Sequence, residues 1–216
     1  LSSKDYKHRL NVYSSIQNIG RESYYGAGQD TNAYGKTKDF TVVGGAQYSY
    51  DFDNFLFMPS SLTAGVEYSY NKLNDLMLGY HREINQEVFV YSAYLQNEWK
   101  TGRFSFLLGG RLDKNSEIDD PIFSPRLNIR YNPIPDLSLR ASYSEGFRAP
   151  QTYDEDLHVA VVGGEVTLIQ VAKDLKTERS RSYSASVDYY TTWGPVQINL
   201  LLEGFYTSLH NPFVLE

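Results

Sequence analysis

Hydrophobic and polar residues alternate along most of this chain with a period of two. The clearest segment is 104–113, which reads FSFLLGGRLD. Its even-numbered positions are apolar apart from one glycine, whereas its odd-numbered positions include Ser105, Arg111 and Asp113. Successive side chains of a strand point to opposite faces. The segment is therefore predicted to be a β-strand with one apolar face and one polar face.

The same alternation recurs along the chain and predicts an all-β fold of about nine antiparallel up-and-down strands. The predicted strands lie near residues 7–19, 38–52, 61–71, 87–99, 104–113, 123–131, 137–146, 179–190 and 196–208. A soluble β-sandwich also has half-apolar strands. The connections between the strands must therefore distinguish a sandwich from a barrel.

Short and long connections alternate between the predicted strands. Tight turns rich in Pro or Gly lie at 100–102, 132–136 and 191–195. Longer polar connections lie near 20–37, 72–86, 113–121 and 147–178. The link at 53–60 falls where a tight turn is expected but is longer than the others. Short turns at one end and long loops at the other are typical of a transmembrane β-barrel of an outer membrane.

Aromatic residues cluster at the short-turn end of the predicted strands. They are Trp99, Trp193, Tyr50, Phe52, Tyr131, Tyr189 and Tyr190. Amphipathic rings at one level favour a girdle at a membrane interface. The alternative is that aromatic residues beside the turns cap a soluble core.

The polar face carries many charges in this interpretation. They are Glu67, Glu87, Glu98, Arg111, Arg126, Arg130, Arg140, Asp188 and Glu203. Burying so many charges in a dry core is costly. The pattern therefore predicts a wet lumen in which these groups pair with water, with each other or with a plug.

Composition narrows the class further. The chain has 216 residues, 21% of them charged, and no apolar run of the roughly 18 residues that a membrane helix needs. It contains 19 Tyr and 11 Phe but no Cys, which excludes disulfides and cysteine metal sites. The net charge of −6 argues against nucleic acid as a partner.

Several segments resemble the barrel of TonB-dependent outer-membrane receptors. They are Phe123–Leu127, Arg130–Pro133, Leu139–Pro150, Leu108–Asp113 and Glu203–Tyr206. The resemblance extends over most of the chain. Its most specific part is Gly146–Pro150, which reads GFRAP and stands before the longest predicted loop.

The resemblance implies a plugged barrel of about 22 strands in the outer membrane of a Gram-negative bacterium. Such receptors take up a scarce nutrient, such as an iron chelate, cobalamin or haem, with energy from the TonB complex acting on the plug. We therefore expect residues 1–216 to be a partial barrel domain without the plug, the energy-coupling box and the remaining strands. Its implied partners are outer-membrane lipid, the nutrient and, through the plug, the TonB complex.

The loop at 147–178 is the candidate ligand-binding loop. Its candidate residues are Arg148, Tyr153, Asp154, Glu155, Asp156 and His158. Haem receptors of this family carry a Phe-Arg-Ala-Pro box, a ligating His and an Asn-Pro-x-Leu box. The first box matches at 147–150 and His158 follows it, but Ala172–Leu175 lacks the Asn-Pro of the second. The alternative is that His158 is a loop residue without a ligand.

The acidic run 154–156 offers hard oxygen ligands that suit Ca²⁺. It lacks the alternation and the Gly of a defined calcium loop, so a solvated acidic tip is the competing interpretation. Ca²⁺ and haem are thus considered only as ligands of this loop. No resident cofactor, metal site or catalytic residue is predicted.

Three other function classes remain open. A passive porin would lack a plug. A barrel enzyme would need a nucleophile beside a base at the rim, and only Asp154 or Asp156 with His158 offers an adjacent pair. A soluble adhesin sandwich would require one dry face, which the distribution of charges disfavours.

Overall fold

The computed structural model describes residues 1–5, 7–24, 34–153, 157, 160–162, 165–167, 171–172 and 174–214. Most of these residues lie in β-strands. They are β1 His8–Tyr24, β2 Tyr34–Phe55, β3 Met58–Met77, β4 Arg82–Lys100, β5 Phe104–Asn115, β6 Ile122–Ile134, β7 Leu137–Arg148, β8 Ala160–Val162, β9 Glu165–Thr167, β10 Glu178–Trp193 and β11 Val196–His210. No helix in the described ranges has the length and hydrophobicity to cross a membrane.

Nine strands form one sheet in the order β1-β2-β3-β4-β5-β6-β7-β10-β11. Every neighbouring pair is antiparallel, so the chain runs up and down through the sheet. The sheet is not closed, since β1 and β11 each have one strand neighbour. The predicted all-β class and up-and-down order are confirmed. The short hairpin β8–β9 forms a separate sheet within the predicted long loop.

The strands are longer than predicted, so the connections are shorter, and two of them differ most from the prediction. β3 and β4 pair until Met77 and Arg82, so the predicted loop at 72–86 is wrong. Only residues 78–81 connect the two strands, as a 3₁₀ turn followed by His81 with a φ of 52°. The link predicted at 53–60 is also wrong. It reduces to residues 56–57, because Leu56 adopts a φ of 65° and reverses the chain at once.

The two faces of the sheet differ in the way that the alternation predicts. We call them the apolar face, which carries Leu108, and the polar face, which carries Arg111. Large side chains are exposed on the apolar face, including Val12, Ile16, Val66, Tyr91, Leu95, Leu108, Phe123, Leu200, Leu202 and Tyr206. Buried polar side chains lie on the polar face, including Thr37, Ser49, Thr63, Asp75, Ser92, Asp113, Ser138 and Asp188. This arrangement, inverted relative to a soluble protein, suits a sheet with lipid on one side.

Glu87 is the one charged residue whose predicted face is wrong. It stands two and four positions before Phe89 and Tyr91 on β4, so its side chain lies on the same, apolar face. Its cross-strand partner on β3 is Lys72. The hydroxyl of Tyr70 donates a hydrogen bond to its carboxylate, and Lys72 Nζ lies 3.7 Å from Glu87 Oε1. The other eight charged residues lie on the polar face, as the alternation predicted.

Aromatic rings pack together on the apolar face at the short-turn end. The ring centroids of Phe55 and Phe57 lie 6.3 and 5.6 Å from that of Trp99. Trp99 Nε1 donates a 2.9 Å hydrogen bond to the carbonyl of Phe55. Tyr190 differs from the other predicted girdle residues, since it pairs with Asn199 on the polar face. It therefore does not belong to a lipid-facing ring.

Candidate functional site

A hydrogen-bonded charge network lies at the centre of the polar face. Arg111 Nη2 donates to Glu67 Oε1 at 2.8 Å, and its Nε donates to Asp113 Oδ1 at 2.8 Å. Ser92 accepts from Arg111 at 2.7 Å and donates to Asp113 at 2.6 Å. The network joins β3, β4 and β5. It pairs three of the charged groups on this face, Glu67, Arg111 and Asp113.

Two tyrosines beside this network lie over glycines. The hydroxyl of Tyr13 donates to Glu67 Oε2 at 2.6 Å, and its ring lies against Gly45, where a Cβ would stand 2.5 Å from the Tyr13 hydroxyl oxygen. Tyr94 lies against Gly65 in the same way and donates to the side chain of Gln47 at 2.9 Å. Glycine is required at both positions because any side chain would occupy the space of the ring.

Two of the recesses on this polar surface contain arginine side chains. The first has a volume of ≈ 370 Å³, and its lining includes Tyr13, Glu67, Tyr94, Arg111 and Arg126. The second has a volume of ≈ 360 Å³, and its lining includes Arg130, Arg140, Ser142, Ser184 and Glu203. Both offer cations and hydroxyl groups side by side, which suits hydrophilic solutes or a polar domain inside a lumen.

Arg130 and Arg140 face each other directly across β6 and β7. Like charges in opposite positions repel each other. Arg140 Nη2 lies 3.6 Å from Asp188 Oδ2, whereas the buried Arg130 Nε has no hydrogen-bond partner within the described ranges. The second recess is therefore the more cationic of the two.

A buried ion pair lies at the long-loop end of the polar face. Arg82 Nε donates to Asp75 Oδ2 at 2.8 Å, and the two side chains are 2% and 1% exposed. The hydroxyl of Thr37 donates to the other carboxylate oxygen of Asp75 at 2.6 Å. Arg82 Nη2 donates to the backbone carbonyl of Leu157 at 3.1 Å. The ion pair thus links β2, β3 and β4 to the predicted ligand-binding loop.

A second contact holds the same loop. The side-chain amide of Gln86 donates to the carbonyl of Thr152 at 3.0 Å and accepts from its N–H at 2.7 Å. Ala149 and Leu157 are buried, each 2% exposed. Since β5 and β6 separate β7 from β4 in the sheet, the segment that starts at 149 reaches across both strands to β4. It does so on the polar side, because Arg82 and Gln86 have polar-face register.

Two of the predicted ligand-binding residues are brought together. The guanidinium carbon of Arg148 lies 4.3 Å from the centroid of the Tyr153 ring and 5.2 Å from that of Phe213. The hydroxyl of Tyr153 donates to the carbonyl of Ala149 at 3.0 Å, which fixes the ring beside the arginine. The remaining predicted residues, Asp154, Glu155, Asp156 and His158, lie outside the described residues.

Sequence reasoning missed Arg82, Asp75, Gln86 and Phe213 as parts of this region. The segments 71–77 and 82–88 carry polar residues at both parities, so no alternation in the sequence placed the first three of them on strands. In the part of the chain that the structure describes, no three His, Asp or Glu side chains come together to hold a metal ion.

The chain is similar to known outer-membrane proteins in sequence. The family model for the TonB dependent receptor-like β-barrel matches residues 2–215. The iron-regulated outer membrane virulence protein of Vibrio cholerae serotype O1 is 29% identical over 157 residues, which are 70% of this chain and 22% of that protein.

Solved structures share the fold at low sequence identity. The siderophore receptor PirA from Pseudomonas aeruginosa superposes with a TM-score of 0.62 at 13% identity, over 94% of this chain and 40% of that one. The apoprotein form of the FrpB iron transporter from Neisseria meningitidis has a TM-score of 0.62 at 16% identity, over 93% of this chain and 34% of that one. The chain therefore spans less than half the length of each of these relatives.

Proposed function

Because the chain belongs to the TonB dependent receptor-like β-barrel family, we propose that its parent protein takes up an iron chelate across the outer membrane of a Gram-negative bacterium with energy from the TonB complex. Residues 1–216 contribute part of the barrel wall. The apolar face contacts lipid, and the polar face lines the lumen. The three relatives reported above are named as a receptor, as a transporter and as an outer membrane protein, which favours transport over catalysis.

The anchored loop is the observation that carries this proposal. Binding sites are commonly built from loops held by a rigid scaffold. Here Thr152 and Leu157 are hydrogen-bonded to β4, so the segment from 149 lies over the lumen side at its long-loop end. A solute that arrives from the cell exterior meets this loop before it meets the charge network around Arg111.

Iron is the proposed cargo because of the names of the relatives. The Vibrio cholerae relative is described as iron-regulated, and the two solved structures are a siderophore receptor and an iron transporter. We propose that Arg148 and Tyr153, with Asp154, Glu155, Asp156 and His158, contact the chelate. An arginine stacked on a phenol ring suits an anionic, aromatic iron chelate, since the guanidinium supplies charge and the ring supplies a flat contact.

Uptake of radioactive iron by cells that express the full-length parent tests this proposal. The probes are a ferric catecholate, a ferric hydroxamate and haem, each offered to cells with and without a functional TonB complex. We expect saturable uptake of one ferric chelate that disappears without TonB. Uptake that persists without TonB would favour the passive porin, and saturable uptake of haem alone would replace the iron chelate by haem.

Deleting 151–175 separates the role of the loop from that of the barrel. We expect binding of the chelate to be lost while the protein still inserts in the outer membrane. The matched control removes residues 117–119 from the neighbouring connection between β5 and β6, and it should leave binding intact. Unchanged binding after the first deletion would place the ligand site outside this loop.

A further inference from the structure

Two arginines lie on the apolar face at the long-loop end of β10. Arg181 and Arg179 are the next two apolar-face positions beyond Tyr183, and both are exposed. Arg179 pairs with His210 of β11, so the two side chains lie on the same face of the sheet. The face that carries these groups points away from the lumen. Groups inside the lumen therefore do not contact them.

A row of tyrosines marks the level at which these cations lie. The ring centroid of Tyr183 lies 5.0 Å from that of Tyr143 and 6.4 Å from that of Tyr206. Ten positions of β10 separate Tyr183 from Trp193 at the short-turn end. A barrel strand crosses the hydrocarbon with about 9–11 residues. The tyrosine row therefore lies at the outer interface, and the arginines lie just beyond it at the level of the lipid headgroups.

The hydrogen-bonding groups of these arginines are largely unused. Arg181 Nε lies 3.3 Å from Glu145 Oε1, and Tyr143 also donates to that carboxylate. The terminal nitrogens of Arg181, and the whole guanidinium of Arg179, have no partner among the residues that the structure describes. Glu145 therefore pairs with Nε of Arg181, whose side chain is 66% exposed, and leaves the terminal nitrogens available to a further acceptor.

We propose that Arg179, Arg181 and His210 form a binding site for the phosphate group of an outer-leaflet lipid. Arginine binds phosphate through parallel N–H donors, and cations beside an apolar surface attract anionic headgroups. The occupant is a lipid, because the apolar band directly below the site, with Val187 and Leu202, accommodates its acyl chains. This site is independent of which solute the receptor carries and requires only that the barrel stands in the outer membrane.

Native mass spectrometry of the purified full-length receptor tests the site. The probes are lipid A with two phosphate groups and the same lipid A after enzymatic removal of both phosphates. We expect the wild type to bind the phosphorylated lipid more tightly. The Arg179→Gln, Arg181→Gln double variant should bind it at least about tenfold more weakly, the loss expected from removing one charge-assisted hydrogen bond. Equal binding of the two lipids, or an unchanged affinity of the variant, would overturn the proposal.

Two control variants distinguish a local phosphate site from an effect of overall charge. Lys100→Gln with Arg103→Gln removes the same charge at the short-turn end and should leave lipid binding unchanged. Arg179→Lys with Arg181→Lys retains the charge and should recover part of the affinity, since lysine binds phosphate as a point charge without the bidentate fork. A comparable loss in the Lys100 and Arg103 variant would reduce the effect to overall charge and contradict a local site.

Discussion

Tyr94 and Gly65 are interlocked across β3 and β4, because the ring of Tyr94 occupies the space that a side chain at Gly65 would need. A Cβ built on Gly65 stands 2.3 Å from Tyr94 Cζ. The hydroxyl of Tyr94 then donates to Gln47 on β2, so one side chain connects three strands on the polar face. Tyr13 and Gly45 repeat the arrangement one strand pair away. These contacts position the aromatic rings around the first recess.

Replacing Gly65 by alanine should destabilise the barrel by about 1–3 kcal/mol, the usual cost of overpacking. The added methyl group collides with the Tyr94 ring and displaces its hydroxyl from Gln47. Urea unfolding of the full-length receptor in lipid vesicles measures the change. Gly20→Ala is the control, because nothing lies within 4 Å of a Cβ at that position. Equal stability of the two variants would contradict the proposed interlock.

The pair Arg82–Asp75 should be the most costly ion pair to break among those described. Both side chains are at most 2% exposed, so Asp75→Asn leaves an uncompensated buried guanidinium. Removing one partner of a buried pair costs about 3–5 kcal/mol. The free energy of unfolding measures the effect.

An exposed pair provides the comparison for that substitution. Lys36 Nζ lies 3.4 Å from Glu22 Oε1, and both side chains are more than half exposed. Lys36→Gln should therefore cost no more than about 1 kcal/mol. A similar cost for the two substitutions would mean that the Arg82–Asp75 pair is solvated in the full-length receptor.

The strand order and the faces could be predicted from the sequence because both follow from the period of two. Glu87 and the segment 72–86 show the limit of that reasoning. Charged and amide residues there suggested a loop, but they pair across the strands, as Asn74 Nδ2 does with Asn85 Oδ1 at 2.6 Å. Beyond the hydrocarbon a barrel strand no longer needs an apolar face. Polarity alone therefore cannot distinguish a strand extension from a loop.

The local contact within the candidate site could be predicted from the sequence, whereas its long-range contacts could not. Arg148 and Tyr153 are close in sequence, so their stacking is local. The contacts of Gln86 with Thr152 and of Arg82 with Leu157 join residues 66 and 75 positions apart. Such contacts depend on the path of the loop across β5 and β6, which no local pattern specifies.

Gln86→Ala should loosen the loop without unfolding the barrel. The substitution removes both hydrogen bonds to Thr152 and leaves the anchor at Leu157 in place. We expect limited proteolysis of the full-length receptor to cleave within 151–177 several-fold faster, since local opening exposes the backbone. Asn85→Ala, one position away on the opposite face, should leave the cleavage rate unchanged. Equal rates in the two variants would show that Gln86 does not hold the loop.

Leu107 and Leu108 offer a matched test of the two faces. Leu108 is 51% exposed on the apolar face, whereas Leu107 pairs with Glu98 and Asn128 on the polar face. Leu108→Arg should cost about 2–4 kcal/mol, because it places a charge in the hydrocarbon. Leu107→Arg places the same charge among hydrated polar groups and should cost much less. Folding free energies of the full-length receptor in vesicles measure both, and equal costs would refute the assignment of faces on which the lumen and the lipid site depend.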